Sequence, residues 1–161
     1  VARNISKVNF FKQYNVTANA YSGYITVRNN SNNLFFLFIE AEVNATEAPL
    51  MLWTQGGPGL SALFGLFLQN GPLAVDLRKN FSRRESTIQK HANVIYLGAP
   101  VGAGFSFPRD NTTYARSLEH VTVDIVEFLT QFLKLFAEYQ GRDFTPPGTL
   151  MQVGIFLGQN V

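Results

Sequence analysis

Hydrophobic and polar residues alternate in two stretches near the start of the chain, and this pattern predicts a β-hairpin. The segment Tyr21–Arg28 alternates and is rich in Tyr, Ile, Thr and Val, while the run Leu34–Ile39 is apolar. A cluster of Asn and Ser over Asn29–Asn33 separates the two stretches, as turn residues do. We therefore expect two antiparallel strands joined by a short turn.

Two later apolar runs are short, and each ends in glycines. Leu50–Trp53 leads into the loop Gly56–Gly59, and Asn93–Leu97 leads into the small-residue loop Gly98–Gly104. A short apolar run bounded by glycine or proline is typical of a buried strand. The sequence thus predicts two buried strands that each feed a glycine-rich loop.

Helical spacing of apolar residues follows both loops. Ser61 can cap a helix that Gly71-Pro72 would stop, with apolar residues at Leu63, Phe64, Phe67 and Leu68. A longer helix is expected over about Ser117–Tyr139, before Gly141. One side of it carries a core-facing apolar stripe: Leu118, Val121, Ile125, Phe128, Leu129, Phe132 and Phe136.

A hairpin followed by strand-loop-helix units indicates the α/β class, with a sheet that opens on antiparallel strands. No repeat or low-complexity linker divides residues 1–161, so we expect part or all of one domain. Hydrophobic residues make up 46% of the chain and charged residues 15%, which argues against disorder. The fifteen Phe must largely face a core or a partner.

Charge and hydropathy exclude two classes of partner. The formal net charge is only +2, and the densest basic stretch, Arg78–Arg84, is short and mixed with polar residues. We interpret that stretch as a solvated loop and expect no binding to nucleic acid. The longest compact apolar run, Leu60–Leu68, is far shorter than a membrane span, so we expect no membrane insertion.

The chain lacks Cys, which excludes thiol catalysis and cysteine metal sites. It starts at Val1 with neither an initiator Met nor a signal core. We therefore expect the chain to begin after processing or at a truncation.

Glycosylation sequons indicate the compartment. Asn-x-Ser/Thr triplets predict a glycoprotein of the secreted, lysosomal or vacuolar lumen, and they begin at Asn4, Asn15, Asn29, Asn44, Asn80 and Asn111.

The block Trp53-Thr54-Gln55-Gly56-Gly57-Pro58-Gly59-Leu60-Ser61 is the most informative stretch. Glycines at the end of a strand let backbone N–H groups approach a ligand, and such groups can hold an oxyanion. A tight turn required by topology is the alternative for the glycines alone. A second block, Ala99-Pro100-Val101-Gly102-Ala103-Gly104-Phe105-Ser106-Phe107, follows the other buried strand.

Together the two blocks resemble the serine carboxypeptidase family. Its first signature is Trp, any residue, Asn or Gln, then Gly-Gly-Pro-Gly, and its second is Pro-Val-Gly-x-Gly-Phe-Ser. Gly65-Leu66-Phe67 and Gly71-Pro72 match between the blocks, and the resemblance covers about Tyr21–Phe144. Gln55, with Leu60 where many members have Cys, is closest to the vitellogenic carboxypeptidase-like branch.

The resemblance implies an α/β-hydrolase fold, of which this chain would form the N-terminal part, and acyl transfer by a Ser-His-Asp triad. By position, the Gly57 N–H would donate to the oxyanion. Gln55 and the Gly56 N–H would bind the free C-terminal carboxylate of a peptide or protein substrate. The family implies no cofactor, and the sequence shows no metal-ligand spacing.

Several positions depart from the family pattern. Gln69 stands where members have a Glu that shares a proton with a second carboxyl group, so we expect altered activation at acid pH. Gly98 replaces an Asp that supports the site in most members. After Phe144 the nucleophile elbow Gly-Glu-Ser-Tyr-Ala-Gly is missing, and the chain reads Thr-Pro-Pro-Gly-Thr-Leu.

The end of the chain is interpreted as an aberrant tail. Back-translation of residues 145–161 with one extra T before the Thr145 codon forces Tyr first and the elbow's Ala. It also permits Gly, Ser, Tyr and Gly around that Ala, whereas the elbow's Glu is not permitted and Asp is the nearest allowed residue. We therefore expect residues 145–161 to be out of frame or mis-joined, no triad residue in this chain, and no activity from the chain alone.

The other candidate residues are weaker. His91 and His120 are the only histidines and lie in no triad motif, so a structural role is expected for each. Asp124 is expected to be solvated on the long helix. Ser61 is interpreted as a helix cap and Ser106 as loop packing, since neither follows a Gly-x-Ser-x-Gly elbow.

Two rival functions stay open. One is that of a prolyl aminopeptidase-type α/β-hydrolase, which also has Gly-Gly-Pro-Gly, normally preceded by His. Gln55 and the second block disfavour this function. A secreted, truncated homologue could instead act as a non-catalytic binding or decoy protein. Because a sheet cut after its early strands leaves edges uncovered, we expect the isolated chain to aggregate or to require the C-terminal part to fold.

Overall fold

The main structural element is a mixed β-sheet. The computed structural model describes residues 2–57, 59–142 and 144–145. The sheet strands are β1 (Lys7–Val8), β2 (Ala20–Val27), β3 (Asn32–Ile39), β4 (Leu50–Trp53), β7 (Asn93–Leu97), β8 (Phe107–Pro108) and β9 (Phe144–Thr145). Their order is β1-β2-β3-β7-β4-β9, and β8 pairs with the start of β3.

Other elements surround this sheet. A separate hairpin consists of β5 (Leu73–Val75) and β6 (Phe81–Arg83). The α-helices are α1 (Ala2–Ile5), α2 (Ala62–Gly65) and α3 (Leu118–Leu135), and a π-helical turn spans Leu66–Asn70. Single 3₁₀ turns lie at Phe10–Tyr14, Ile88–Lys90 and Ala137–Tyr139.

The predicted hairpin is confirmed, with boundaries shifted by one or two residues. β2 and β3 pair antiparallel from Ala20 opposite Ile39 to Val27 opposite Asn32. The turn between them places Arg28, Asn29 and Asn30 in the left-handed region, with φ of 52°, 50° and 64°. Asn enters this region more readily than most residues, because its short polar side chain can bond locally.

The two predicted buried strands are also confirmed, and they run side by side. β4 and β7 are parallel, with Leu50 opposite Asn93 and Trp53 opposite Tyr96. β9 lies on the other side of β4 and is parallel to it, with Leu50 opposite Phe144. The carboxyl ends of β4 and β7 therefore meet at one edge of the sheet, and both glycine-rich loops leave from that edge.

Side chains alternate between two apolar layers. On β3, Phe36 and Phe38 pack on the layer that contains α3, whereas Leu37 and Ile39 pack on the opposite layer. The opposite layer is closed by Ala62, Leu66, Leu73 and Phe11, from α2, the π-helical turn, β5 and the first 3₁₀ turn. All five residues of β7 are buried, as expected for a strand covered on both faces.

The long helix carries the predicted aromatic stripe but is shorter than expected. Ser117 caps its start by accepting from the His120 N–H at 3.3 Å, and the α-helix ends at Leu135. Phe128, Phe132 and Phe136 are fully buried, which confirms the stripe. Leu118 was expected in the stripe, but it is the first residue of the helix and is 55% exposed.

The predicted exposure of Asp124 is wrong. Its side chain is only 3% exposed and forms a salt bridge with Arg28 at 2.8 Å. Asn32 Nδ2 also donates to this carboxylate, at 3.4 Å. Asp124 is therefore a buried partner of the hairpin turn, which a helical wheel of α3 alone does not reveal.

The first predicted helix is confirmed at its cap and corrected in its body. Ser61 Oγ accepts from the Leu63 N–H at 3.2 Å. The α-helix then gives way to the π-helical turn, which widens the spacing of the apolar face. As a result Leu66 is fully buried, while Phe64 and Leu68 are 43% and 48% exposed.

The basic stretch is in part the exposed loop that was predicted, since residues 76–80 form an exposed turn, and in part strand β6 (Phe81–Arg83). Arg83 ends β6, and it forms a salt bridge with Glu42 at 2.7 Å. Arg84 donates from Nε to the Gly71 carbonyl and from an Nη to the Phe67 carbonyl, both at 3.0 Å. These bonds satisfy carbonyl groups at the end of the π-helical turn, so Arg84 has a structural role.

Candidate oxyanion and carboxylate-binding site

The loop after β4 has the backbone that its glycines predict. Gly57 has φ of 133° and Gly59 has φ of 102°, values that residues with a side chain rarely adopt. Among the described residues, no main-chain carbonyl accepts a hydrogen bond from the Gly57 N–H. Within that part of the chain, the N–H predicted to donate to the oxyanion is therefore not engaged in a backbone hydrogen bond.

A hydrogen bond fixes the side chain of Gln55. The indole Nε1–H of Trp53 donates to Gln55 Oε1 at 3.2 Å. Because an indole N–H can only donate, the oxygen of the amide must face Trp53. The Nε2 group, with its two N–H donors, is then directed away from Trp53, and such a group suits an anionic ligand.

Gly65 on α2 provides the space for this arrangement. A Cβ atom at position 65 would lie 2.3 Å from Trp53 Nε1 and 2.9 Å from Gln55 Oε1. Real Cβ atoms do not tolerate such distances, so only glycine fits beneath the pair. Gly65 is part of the sequence match, but its contact with Trp53 and Gln55 depends on how α2 folds back against β4 and the loop that follows β4.

Ser106 holds the second glycine-rich loop to the sheet. Its Oγ accepts from the Phe35 N–H at 2.8 Å and donates to the Gly98 carbonyl at 2.6 Å. A Cβ atom at Gly98 would lie 2.6 Å from that Oγ, so the glycine makes room for it. The interpretation of Ser106 as loop packing is confirmed.

A buried polar group lies beneath the π-helical turn. Tyr96 is fully buried, and its hydroxyl donates to Asn70 Oδ1 at 3.0 Å. Gln89 Nε2 donates to the same hydroxyl at 3.2 Å. Burial raises the pKa of Tyr96 well above its ordinary value, so the phenol stays neutral. Gln69, by contrast, is exposed at the surface of the turn.

The structure brings no Ser-His-Asp arrangement together within the described residues. His91 and His120 are both exposed, and His120 Nδ1 accepts from the Arg116 N–H at 3.4 Å. Neither imidazole in this part of the chain is hydrogen-bonded to a Ser hydroxyl. Asp124 is paired with Arg28 instead of a histidine.

The described residues contain neither a metal-ligand cluster nor a membrane-spanning helix. Within residues 2–57, 59–142 and 144–145, no group of three or more His, Cys, Asp and Glu side chains could hold a metal ion. No helix in those ranges is long and apolar enough to cross a membrane.

All of the predicted glycosylation sites lie at the surface. Each of the six sequon asparagines is exposed: Asn4, Asn15, Asn29, Asn44, Asn80 and Asn111. Asn80 differs in that its Nδ2 donates to Asp76 Oδ2 at 3.1 Å. The others are exposed in turns or near element ends, where a glycan could be accommodated.

The comparison with known proteins identifies the family of the chain. A family profile described as "Serine carboxypeptidase" matches residues 11–148. The chain belongs to the serine carboxypeptidase family. This confirms the resemblance that the two glycine-rich blocks indicated.

Individual relatives agree with this family membership. The venom serine carboxypeptidase of Apis mellifera is 43% identical over 130 residues, which cover 80% of this chain and 28% of that protein. The vitellogenic carboxypeptidase of Aedes aegypti is 40% identical over 136 residues, covering 84% of this chain and 28% of that protein. This serine carboxypeptidase chain thus spans less than a third of the length of these relatives.

A solved structure supports the fold. The chain superposes on Kex1(Δ)p, a prohormone-processing carboxypeptidase from Saccharomyces cerevisiae, with a TM-score of 0.77 and 22% sequence identity. The match covers 91% of this chain and 35% of that protein. The predicted α/β-hydrolase fold is therefore confirmed.

Proposed function

We propose that this chain contributes the oxyanion and carboxylate-binding loops of a serine carboxypeptidase that removes C-terminal residues from peptides. In this proposal Gly57 donates its N–H to the oxyanion. Gln55 and the Gly56 N–H bind the free C-terminal carboxylate of a peptide or protein substrate. The triad is supplied by chain outside this sequence, and the segment alone is inactive.

The hydrogen bond between Trp53 and Gln55 is the observation that carries this proposal. It holds the Gln55 amide with its donor group away from Trp53, directly before two glycines whose N–H groups are free of Cβ interference. Two N–H-bearing groups in a row, the Gln55 amide and the Gly56 backbone, suit a carboxylate, which accepts several charge-assisted hydrogen bonds. A free C-terminus is the carboxylate that every peptide substrate shares.

The position of Gly57 suits transition-state stabilisation. Its φ of 133° directs the backbone in a way that a non-glycine residue would not maintain. Preorganised N–H donors aimed at a developing oxyanion are worth about 3 kcal/mol of barrier each. Loss of this donor would therefore slow acyl transfer by roughly a hundredfold.

The register of β9 supports the placement of a nucleophile beside this loop. β9 pairs with β4 so that Phe144 lies opposite Leu50. In the family the elbow Ser comes six residues after the equivalent of Phe144, and Gly56 lies six residues after Leu50. A strand that continued this register would bring that Ser level with Gly56. The proposed aberrant tail, residues 145–161, lies outside the described residues apart from the backbone of Thr145.

A non-catalytic binding protein is the second candidate. The sequence contains no Gly-x-Ser-x-Gly elbow, and Gln69 stands where the family has an acidic residue. The carboxylate-binding loop could still hold the C-terminus of a peptide without cleaving it. Binding that depends on a free C-terminus, with no product formed, would favour this candidate.

We propose a secreted, lysosomal or vacuolar location for the protein. The six exposed sequons support it, since glycans are added in the secretory pathway. The printed name of the Apis relative, a venom enzyme, agrees with secretion of that protein. A shift in electrophoretic mobility after deglycosylation would support the assignment, and an unmodified protein from its native source would contradict it.

Folding is proposed to depend on further covering of the sheet. Within the described residues β9 contributes two residues to the edge beside β4, and several large apolar side chains are exposed near α2: Leu60, Phe64 and Leu68. Apolar surface of this kind favours association. A cooperative thermal transition in the purified, monomeric 161-residue chain would overturn this part of the proposal.

The decisive experiment compares substrates and one variant in the intact protein that carries this sequence. We expect hydrolysis of a peptide with a free C-terminus and little hydrolysis of the same peptide as its C-terminal amide. Gln55→Glu should raise KM for the free acid, because the new carboxylate repels that of the substrate. Gln13→Glu, on the first 3₁₀ turn, controls for the added charge. Equal activity on acid and amide would contradict carboxylate recognition.

A further inference from the structure

The two glycine-rich loops touch each other at Gly104 and Ser61. A Cβ atom at position 104 would lie 2.7 Å from Ser61 Oγ, 2.9 Å from its Cβ and 3.3 Å from its Cα. Gly104 also has φ of 58°, in the left-handed region. The backbone of one loop is therefore seated directly against the side chain of the other.

Ser61 links this contact to the loop that carries Gly57. Its Oγ accepts from the Leu63 N–H at 3.2 Å, and its carbonyl accepts from the Phe64 N–H at 3.0 Å. It thus begins α2 and ends the glycine loop. Leu60, the preceding residue, lies against Gly57, since a Cβ there would be 3.3 Å from Leu60 Cγ. A displacement of Ser61 would therefore displace Gly57 through Leu60.

Hydrogen bonds hold the loop on the Gly104 side of the contact. The Gly102 N–H donates to the Ser106 carbonyl at 3.1 Å, and the Ser106 N–H donates to the Ala103 carbonyl at 3.0 Å. Ser106 Oγ is in turn bonded to the Phe35 N–H of the sheet at 2.8 Å. An atom added at position 104 would therefore press on Ser61 from a loop that these bonds hold in place.

We propose that Gly104 is a positioning residue for the Gly57 loop. By seating Ser61 at the start of α2, it holds the Gly57 N–H in place. This inference rests on the proposed function only for its catalytic consequence. The mechanical consequence, a fixed start of α2, stands on the contact alone.

The contact predicts that a smaller residue at position 61 can compensate for a larger residue at position 104. Gly104→Ala introduces a methyl group where Ser61 lies, whereas Ser61→Gly removes the Oγ and Cβ that this methyl group would strike. Glycine also serves as a helix N-cap at a cost of only a few tenths of a kcal/mol relative to Ser. The double variant Ser61→Gly/Gly104→Ala should therefore recover what Gly104→Ala loses.

Hydrogen exchange in the intact protein tests the mechanical part. We expect Gly104→Ala to raise the exchange rate of amides in residues 59–66 by about fivefold, the effect of losing an N-cap. Gly141→Ala is the matched control, since Gly141 also has positive φ, 73°, but open space around its Cβ position. The double variant should return to the wild-type rate.

Two results would overturn the inference. One is equal exchange in Gly104→Ala and Gly141→Ala, and the other is the absence of recovery in the double variant. Should Gly104→Ala fail to fold, purification of a folded double variant would itself be the recovery. Failure of both variants to fold would mean that the contact with Ser61 is not what the methyl group disturbs.

Peptide hydrolysis by the same variants tests the catalytic part. The kcat of Gly104→Ala should fall on the order of tenfold to a hundredfold, as misplacement of a catalytic group does, and should recover in the double variant. An unchanged kcat together with faster exchange would remove the catalytic consequence. A wild-type protein without hydrolysis would overturn the proposed function, while the exchange result would still decide the contact.

Discussion

Arg28 donates two hydrogen bonds to the carboxylate of Asp124, from Nε to Oδ1 at 2.9 Å and from Nη2 to Oδ2 at 2.8 Å. Arg28 belongs to the turn between β2 and β3, and Asp124 lies on α3. The Arg28 backbone N–H also donates to Glu127 Oε2 of the same helix at 2.7 Å. These bonds attach the tip of the hairpin to the helix that covers the sheet.

Removal of the buried partner should destabilise the fold. Asp124→Ala would leave the Arg28 guanidinium, which is 25% exposed, without its carboxylate. Breaking a buried pair from one side costs about 3 kcal/mol. In urea unfolding of the intact protein, the midpoint of Asp124→Ala should therefore be lower than that of the wild type. Asp110→Ala, at an exposed turn, is the control, and an equal midpoint for the two variants would contradict the role of the pair.

The pH dependence of stability offers a second test of Asp124. Burial raises the pKa of Asp124 above the ordinary 3.8, against the opposing effects of the Arg28 charge and hydrogen bonds. The folded state therefore holds this proton more tightly than the unfolded state. The stability of the wild type relative to Asp124→Asn should be highest below 3.8 and fall as pH rises through the raised pKa. Chemical denaturation from pH 3 to 6 would measure it, and a rise across this range would contradict the predicted direction.

Trp53→Phe should weaken recognition of a free C-terminus. The substitution keeps an aromatic ring in the layer against the sheet but removes the N–H that orients Gln55. A lost hydrogen bond of this kind is worth about 1 kcal/mol, so KM for a free-acid peptide should rise roughly fivefold. The same peptide as its C-terminal amide serves as the control. A similar change for both substrates would point to general damage instead.

Gly65→Ala should affect both stability and substrate binding. Its methyl group would lie 2.3 Å from Trp53 Nε1, so either the indole or α2 must move. Overpacking of this kind costs about 1–3 kcal/mol. Gly23→Ala is a suitable control, because a Cβ there has its nearest neighbour at 3.6 Å. Thermal unfolding and KM should both change in Gly65→Ala, and an unaltered KM would separate Gly65 from the site.

Much of the fold could be predicted because its signals are local. The hairpin and the strands β4 and β7 follow from short apolar runs bounded by turn residues, and Ser61 caps the helix that it was expected to cap. The short strands β1, β5, β6 and β8 escaped prediction, since two or three residues carry too little pattern. The π-helical turn also escaped, because helical spacing does not reveal a local widening.

The candidate site was likewise predictable in its residues but not in its supports. Gln55, Gly56 and Gly57 are contiguous, so a motif of nine residues is enough to name them. The contacts that position them join Trp53 to Gly65 and Ser61 to Gly104, across a helix turn and across two loops. No local pattern pairs such residues.

Residues that are neighbours along the chain were enough to predict the class of the fold, the glycine loops and the family. The burial of Asp124 against Arg28 and the contact of Gly104 with Ser61 could not be predicted in this way. Both contacts join segments that only packing around the sheet brings together. Strands β3, β7 and β4 are adjacent but not consecutive, so residues far apart in sequence meet only when the sheet forms.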